Sequence, residues 1–551
     1  MAEIFEKMFK DPLYDYIFID NNICDDIIDS PYFQRLRRIE QTSMRCLYPS
    51  ARHDRFIHSI GVYHLAKTAI AALRKNETVY IDMKKEESKF HFPDESTRES
   101  IYFSLEMAAL LHDICHSPFS HTLECYFSKA FNEEGKEEDH YALLKEFYKS
   151  AEAVNADTCE ESDFESFKIQ CKDANAANHE IASCIFIFEY FRDTICKIAK
   201  DRNLQKVESN DEEANKVVIK PLFLFMARCI LGATYNKEGT HEEAYKNCII
   251  KILNSSIDVD KLDYITRDSS VSGFANTLVD TKRLLGSLVL AVYKSSSEEE
   301  QICLAFQKTA VGVIQNVVNS RNALYTWIYS HHKVVYESEL IEKAIAKIAM
   351  KQADKQAFYK QYFSPSSIME NLVCDDTIWN LLLEHKDIPE IQELISRNKR
   401  QKAIWKSFAE FQGYFNTGSK LTQIGQFSKQ QMDAYFTDKD KRRNKNAMMD
   451  FINYLNQFAP DGEKPFQFAV KLNNPKVAYI QPNTIIVYLN NKLFSFDSIF
   501  SDLYKKGNIP PFFYLYCSKE DKERLRKDDY RLRKELIEYI KGYEGFRERH
   551  K

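Results

Sequence analysis

The chain has 551 residues, too many for one simple core, so about two to four structural units are expected. Hydrophobic residues make up 44% and charged residues 28%, the balance of a soluble globular chain. A net charge of −5 supplies no bulk attraction to nucleic acid or to an anionic membrane, so nucleic acid is not an expected partner.

Gly and Pro number only 14 each, which favours long helices over many short strands. The 13 cysteines form no CxxC pair, so a zinc finger or a thioredoxin-type site is not expected. Scattered reduced thiols in a cytoplasmic protein are the simpler expectation. No apolar run reaches membrane-spanning length; Leu222–Leu231 comes nearest and is interrupted by Arg228. The acid-bearing start Met1-Ala-Glu-Ile does not read as a secretory signal.

In chain order, Asp29 or Ser30 is placed to cap a helix starting at Pro31. Residues 59–74, 100–114 and 179–199 carry apolar residues at helical spacing. Residues 132–173 are acidic and polar and are expected as a surface insertion, and 205–215 and 294–300 as exposed loops. Helix is predicted again from 303 to 350. Residues 466–497 hold two β-rich runs separated by Asn and Pro, which read as strands, and 518–551 reads as a charged helix. The predicted fold is therefore mainly α: a helical core over 1–350, then a helical and finally α+β region over 351–551.

Two His-Asp dipeptides occur. His53-Asp54 lies in polar surroundings and reads as loop. His112-Asp113 ends an apolar run, so two ionisable groups enter the core together, at a high cost unless they are paired or bound to metal. Taken alone, such a pair is more often a structural hydrogen bond than a site. Three more segments share its character: Arg55-Phe-Ile-His58, Asn178-His179-Glu180, and the run from Asp258 to Asp268, with four acids in eleven residues. Helical spacing puts Asp260, Tyr264 and Asp268, or Lys261, Tyr264 and Asp268, near one face. Two imidazoles and two carboxylates form a mixed site that suits Fe, Mn, Co, Ni or Zn better than Ca. Such a metal lowers the pKa of water from 15.7 toward ~7.

Together these motifs, Arg55-Phe-x-His58-Ser, His112-Asp113-x-x-His116-Ser-Pro118-Phe-Ser-His121 and Asp258-Val-Asp260-Lys261-x-Asp263-Tyr264, resemble those of the HD-domain dNTP triphosphohydrolases, a group that includes bacterial dGTPases. The similarity runs over roughly residues 10–350, and the order of the motifs makes it specific. It implies an HD-domain helical bundle and a metal held by His58, His112, Asp113 and Asp260. It implies that His116, Glu124 and His179 line the scissile phosphate. Gln41, Thr42, Arg55, Lys261, Tyr264, Asp268, Arg321, Tyr325 and Tyr329 would contact substrate, and Asp29 and Arg37 an activating nucleotide. A homo-oligomer, dimer or tetramer, is implied as well.

The sequence departs from the family pattern at Cys115, Ser117, Tyr325, Ser330 and Thr42, which bears on base and sugar preference rather than on the metal. The implied reaction converts a dNTP, with dGTP the first candidate, to deoxynucleoside and inorganic triphosphate, with Mg²⁺ on the substrate. Such activity serves pool balance or antiviral dNTP depletion. Either His179 or His116 would protonate the leaving oxygen. A zincin-type peptidase is disfavoured, because Asp113 stands where Glu is needed and Pro118 soon ends any helix. Another HD-superfamily phosphodiesterase, or a nucleotide-sensing regulator without catalysis, stays open as an alternative.

Overall fold

In the computed structural model, the described residues are 6–132, 139–203, 218–236, 238–274, 279–295, 298–407, 409–411, 469–473, 481–499 and 512–527. The expected loop at 205–215 and most of the expected helix over 518–551 lie outside them; Lys519–Lys527 is helical. Two compact units interleave along the chain. The first comprises Met1–Arg321, Ile345–Glu384 and Ile480–Tyr504; the second comprises Asn322–Ala344, His385–Tyr479 and Lys505–Lys551.

The first unit is mainly helical, as expected, and opens with an antiparallel hairpin of β1 (Glu6–Asp11) and β2 (Asp15–Asp20). Ile17 and Ile19 alternate into the core, the period of a half-buried strand. Ser30 caps the Pro31–Gln34 turn, accepting from the Phe33 amide at 3.3 Å. The helix expected over 59–74 runs Arg55–Lys75 and is capped by Asp54, which accepts from the Ile57 amide at 3.1 Å. The helix expected over 100–114 is Glu95–Leu111, with His112 as its C-cap. Both helices are buried along most of their length and pack on each other. Among the described helices, Arg55–Lys75 is the one long and apolar enough to cross a membrane, in place of Leu222–Leu231; 67% of its apolar window is buried, as in a core helix.

Three expectations are corrected. The acidic stretch 132–173 holds helices Asp139–Thr158 and Phe164–Ala174, whose Leu143, Phe147, Ala151, Phe167 and Cys171 are buried. Its charges sit between core positions and conceal the apolar period. Residues 303–307, expected as helix, end a strand: β4 (Leu288–Lys294) and β5 (Glu300–Gln307) form a hairpin that also takes up both ends of the loop expected at 294–300. A short apolar run paired on both edges shows no period that separates strand from helix.

That hairpin is the centre of a five-stranded sheet. Val79–Tyr80 (β3) lies parallel to β4, and Ile486–Leu489 (β8) parallel to β5, with Lys492–Ser495 (β9) outermost. In the second unit, Lys402–Ala403 (β6), Phe512–Cys517 (β10) and Ala469–Asn473 (β7) form an antiparallel sheet with β10 in the middle. Strands thus occur where the β-rich runs of 466–497 place them.

Candidate active site

Three helices bring the predicted ligands together. His58 lies in the first turn of Arg55–Lys75, His112-Asp113 follows Glu95–Leu111, and Asp260 lies in the first turn of Val259–Ser272, which Asp258 caps through the Lys261 amide at 2.8 Å. His58 Nε2 is 3.1 Å from Asp260 Oδ1 and 3.7 Å from Asp113 Oδ2. His112 Nε2 is 3.6 Å from Asp113 Oδ1 and 3.9 Å from Asp260 Oδ1. Metal bonds of ~2.1 Å set neighbouring ligand atoms about 3.0–3.4 Å apart; His58, His112 and Asp113 offer ligand atoms all within 4.8 Å of one another, and Asp260 stands beside the two imidazoles.

The ring nitrogens are sorted for that task. His58 Nδ1 lies 2.8 Å from Asp263 Oδ2, and His112 Nδ1 2.9 Å from the Ala109 carbonyl. Both acceptors take the Nδ1 proton, leaving an Nε2 lone pair for a metal. Nε2 of both rings is buried and makes no hydrogen bond. Burial would raise Asp113, but Arg55 and the surrounding imidazoles hold it well below the usual carboxylate range. The donor set fits a borderline divalent metal.

Support continues outward. Arg55 donates to Asp113 Oδ2 at 2.7 Å, to Ser120 Oγ at 3.2 Å and to the Gln41 carbonyl at 3.0 Å, so it orients a ligand. Asp263 receives Arg267 Nε and Nη2, both at 2.8 Å, and Arg267 Nη1 reaches Asp11 Oδ2 of the N-terminal hairpin at 2.9 Å. Arg35 is buried and donates to the carbonyls of Ile114 (3.1 Å), His116 (2.6 Å) and Val373 (2.5 Å).

His116, Glu124 and His179 also meet. Glu124 Oε1 is 2.8 Å from His179 Nδ1, and His179 Nε2 is 3.6 Å from Asp113 Oδ1. The His116 and His179 ring centres are 4.3 Å apart. Burial would lower His179, but Glu124 outweighs it and holds the imidazole at about 9. Burial and Arg55 push His116 well below the ordinary range. Sequence reasoning gave no role to His121, whose Nδ1 takes the other Glu124 oxygen at 2.9 Å. Its place at the end of the motif, three residues before Glu124, was the available signal.

On the other side, Lys261 Nζ is held 2.5 Å from Asp258 Oδ2, and Arg321 Nε donates to the Tyr264 hydroxyl at 3.0 Å. Gln41 Oε1 and Thr42 Oγ1 are buried without hydrogen bonds. Asp268 is buried and bonded to His53 Nε2 at 2.6 Å. His53 lies in a loop, as expected, but its side chain is turned in against Asp268, and its neighbour Asp54 is the helix cap. Tyr325 and Tyr329 fall in the second unit, where their rings meet edge-on at 5.0 Å. Asp29 accepts from Lys7 at 2.9 Å, and the Arg37 guanidinium sits 3.5 Å over the Phe56 ring.

Residues 55–219 match the HD domain family model. An uncharacterised protein of Bacillus subtilis is 24% identical over 339 residues, 61% of this chain and 54% of that protein. The deoxynucleoside triphosphate triphosphohydrolase SAMHD1 of Xenopus laevis is 25% identical over 408 residues, 72% of this chain and 54% of its own length. The chain spans about half the length of the curated relatives it matches. A solved structure of a hypothetical protein from Aquifex aeolicus shares the fold, with a TM-score of 0.53 and 18% identity over 97% of this chain and 100% of that one. The chain thus carries an HD domain and is similar, at about 25% identity over most of its length, to the dNTP triphosphohydrolases of the SAMHD1 type.

Proposed function

We propose that this protein is a metal-dependent phosphohydrolase that cleaves dNTPs to deoxynucleoside and inorganic triphosphate. The observation that carries it is a set of buried imidazole nitrogens without hydrogen bonds, Nε2 of His58, His112 and His116, gathered around Asp113. Buried polar groups are rarely left unpaired, so these nitrogens mark a place built to receive a metal.

His58, His112, Asp113 and Asp260 would hold a transition metal, which supplies Lewis acidity and an acidified water at neutral pH. The chain's own groups do the rest. Arg55 fixes Asp113. Lys261 and Arg321 offer cationic charge to the triphosphate, the guanidinium with a geometry suited to phosphate oxygens. His179, oriented by Glu124 through Nδ1, presents Nε2 as the proton donor to the leaving 5′-oxygen. Gln41 and Thr42 offer unused hydrogen-bonding atoms for base and sugar. A homo-oligomer, and an activating nucleotide at Asp29 and Arg37, belong to the same proposal by similarity.

The test is a panel of each dNTP and NTP, singly and in pairs, dGTP first, with Mn²⁺ or Mg²⁺. Deoxynucleoside and triphosphate are the expected products. Release of pyrophosphate or of single phosphate rules the proposal out.

A further inference from the structure

The loop before Val259–Ser272 is held at the surface by a distant part of the chain. Ser256 Oγ lies 2.6 Å from Thr484 Oγ1, and 3.3 Å from both the amide nitrogen and the carbonyl oxygen of Gln481. Thr484 Oγ1 donates to the same carbonyl at 2.8 Å. Ser256 is thus the hub of a clasp between segments 225 residues apart.

The loop side of the clasp leads directly to the site. Ser255, next to the hub, donates its amide to Asp258 Oδ2 at 2.9 Å. Asp258 caps the helix through the Lys261 amide at 2.8 Å and holds Lys261 Nζ at 2.5 Å. Asp260 lies between these two residues in the first turn, so one loop places both a predicted metal ligand and a cation. The other side is anchored in the sheet. Ile485 is buried, its carbonyl accepts from the Phe496 amide at 2.9 Å, and the strand that follows pairs with β5.

Under the clasp is a cavity of about 40 Å³ among Ile257, Val259, Leu262, Phe306 and Ile485. Ligand pockets run to about 300–1,000 Å³, so this void is slack rather than a binding pocket. Atoms facing such a gap lose packing contacts on that side. Packing alone therefore leaves the first turn of the helix room to shift, and the hydroxyl clasp supplies the restraint.

We propose that Ser256, latched by Thr484 and Gln481, is a positioning residue for the first turn of Val259–Ser272, fixing Asp260 and Lys261 from the returning segment. The restraint stands on these contacts; its effect on metal binding and hydrolysis rests on the function proposed above.

The experiment follows amide hydrogen exchange over residues 255–262 of the full chain by mass spectrometry, and Mn²⁺ affinity by competition with a chelator. Ser256→Ala should speed exchange there about 5- to 10-fold, the worth of one hydrogen bond. It should weaken Mn²⁺ binding about 10-fold, with circular dichroism unchanged. Ser256→Thr keeps the hydroxyl and should restore both. Thr484→Val should share the loss, and it carries the test if Ser256→Ala does not fold. Ser88→Ala removes another hydroxyl bond to the same sheet, from Ser88 Oγ to Glu300 Oε2 at 2.7 Å, and should change neither readout. Unchanged exchange in Ser256→Ala and Thr484→Val, or no rescue by Ser256→Thr, overturns the clasp. Exchange requires neither metal nor substrate, so faster exchange in a protein that binds no Mn²⁺ and cleaves no dNTP upholds the clasp and fails the functional reading.

Discussion

Asp263 is not one of the predicted ligands, yet it determines how His58 points. It accepts from His58 Nδ1 and is itself gripped by Arg267 through two bonds of 2.8 Å. Asp263→Asn should weaken metal affinity about 10- to 100-fold, measured by competition with a chelator. The same change breaks a buried ion pair, at a cost of about 3–5 kcal/mol. The double variant Asp263→Asn with Arg267→Met should recover part of the stability but none of the affinity, and recovery of both would remove the positioning role. Glu124→Gln should lower kcat for dNTP hydrolysis about 100- to 10,000-fold with little change in KM, because Glu124 orients His179 and His121 rather than substrate; a change confined to KM would contradict this. The predicted ligands were legible because each sits in a short motif at a helix end. Asp263, His53 and Arg35 were not, since their charges look like solvated surface until partners at Arg267, Asp268 and the Ile114–His116 turn fold onto them. Nothing local in the sequence connects His53 to a carboxylate 215 residues away.

At the scale of elements, Gly61 sets how closely Arg55–Lys75 approaches Val259–Ser272. A Cβ there would overlap Asp263 Oδ1 and stand 2.5 Å from Arg267 Nη2, both held in the buried pair. Gly61→Ala should therefore destabilise the first unit by about 3 kcal/mol, read as a lower urea midpoint, and should weaken metal binding through Asp263. A neutral effect would mean that the two helices slide apart freely. Glu160 shows how an acidic stretch can be structural. It accepts from the amides of Phe223 (2.7 Å), Leu224 (2.8 Å) and Phe225 (3.3 Å), satisfying the open end of Phe223–Leu231 from a distant segment. Glu160→Ala should cost about 1–2 kcal/mol in thermal unfolding, a loss that a solvated insertion would not show. The helices that carry the site were legible from apolar spacing and capping residues. The Leu288–Gln307 hairpin was not, because its partners Val79–Tyr80 and Ile486–Leu489 lie some two hundred residues away on either side.

For the whole molecule, the four predicted ligands come from three segments, so a bound metal should tie the fold of the first unit together. Chelator treatment is expected to lower its melting temperature, with Mn²⁺ restoring it, since a ligand at about 1,000 times its Kd adds about 4 kcal/mol of stability. The return of the chain at 480–504 makes a second demand on the same unit. Val487 is fully buried and pairs with Phe306, and Ile486–Leu489 covers the edge of β5. Val487→Pro removes a ladder donor and a packed side chain from a strand that is not at the sheet edge, a place where proline is not tolerated. If that returning strand completes the unit that holds the site, the variant should lose metal affinity and hydrolysis along with stability, although Val487 is more than two hundred residues from any predicted ligand. The measurement is a thermal melt followed in parallel with Mn²⁺ binding. Loss of stability with metal binding intact would show that the sheet and the metal centre fold independently.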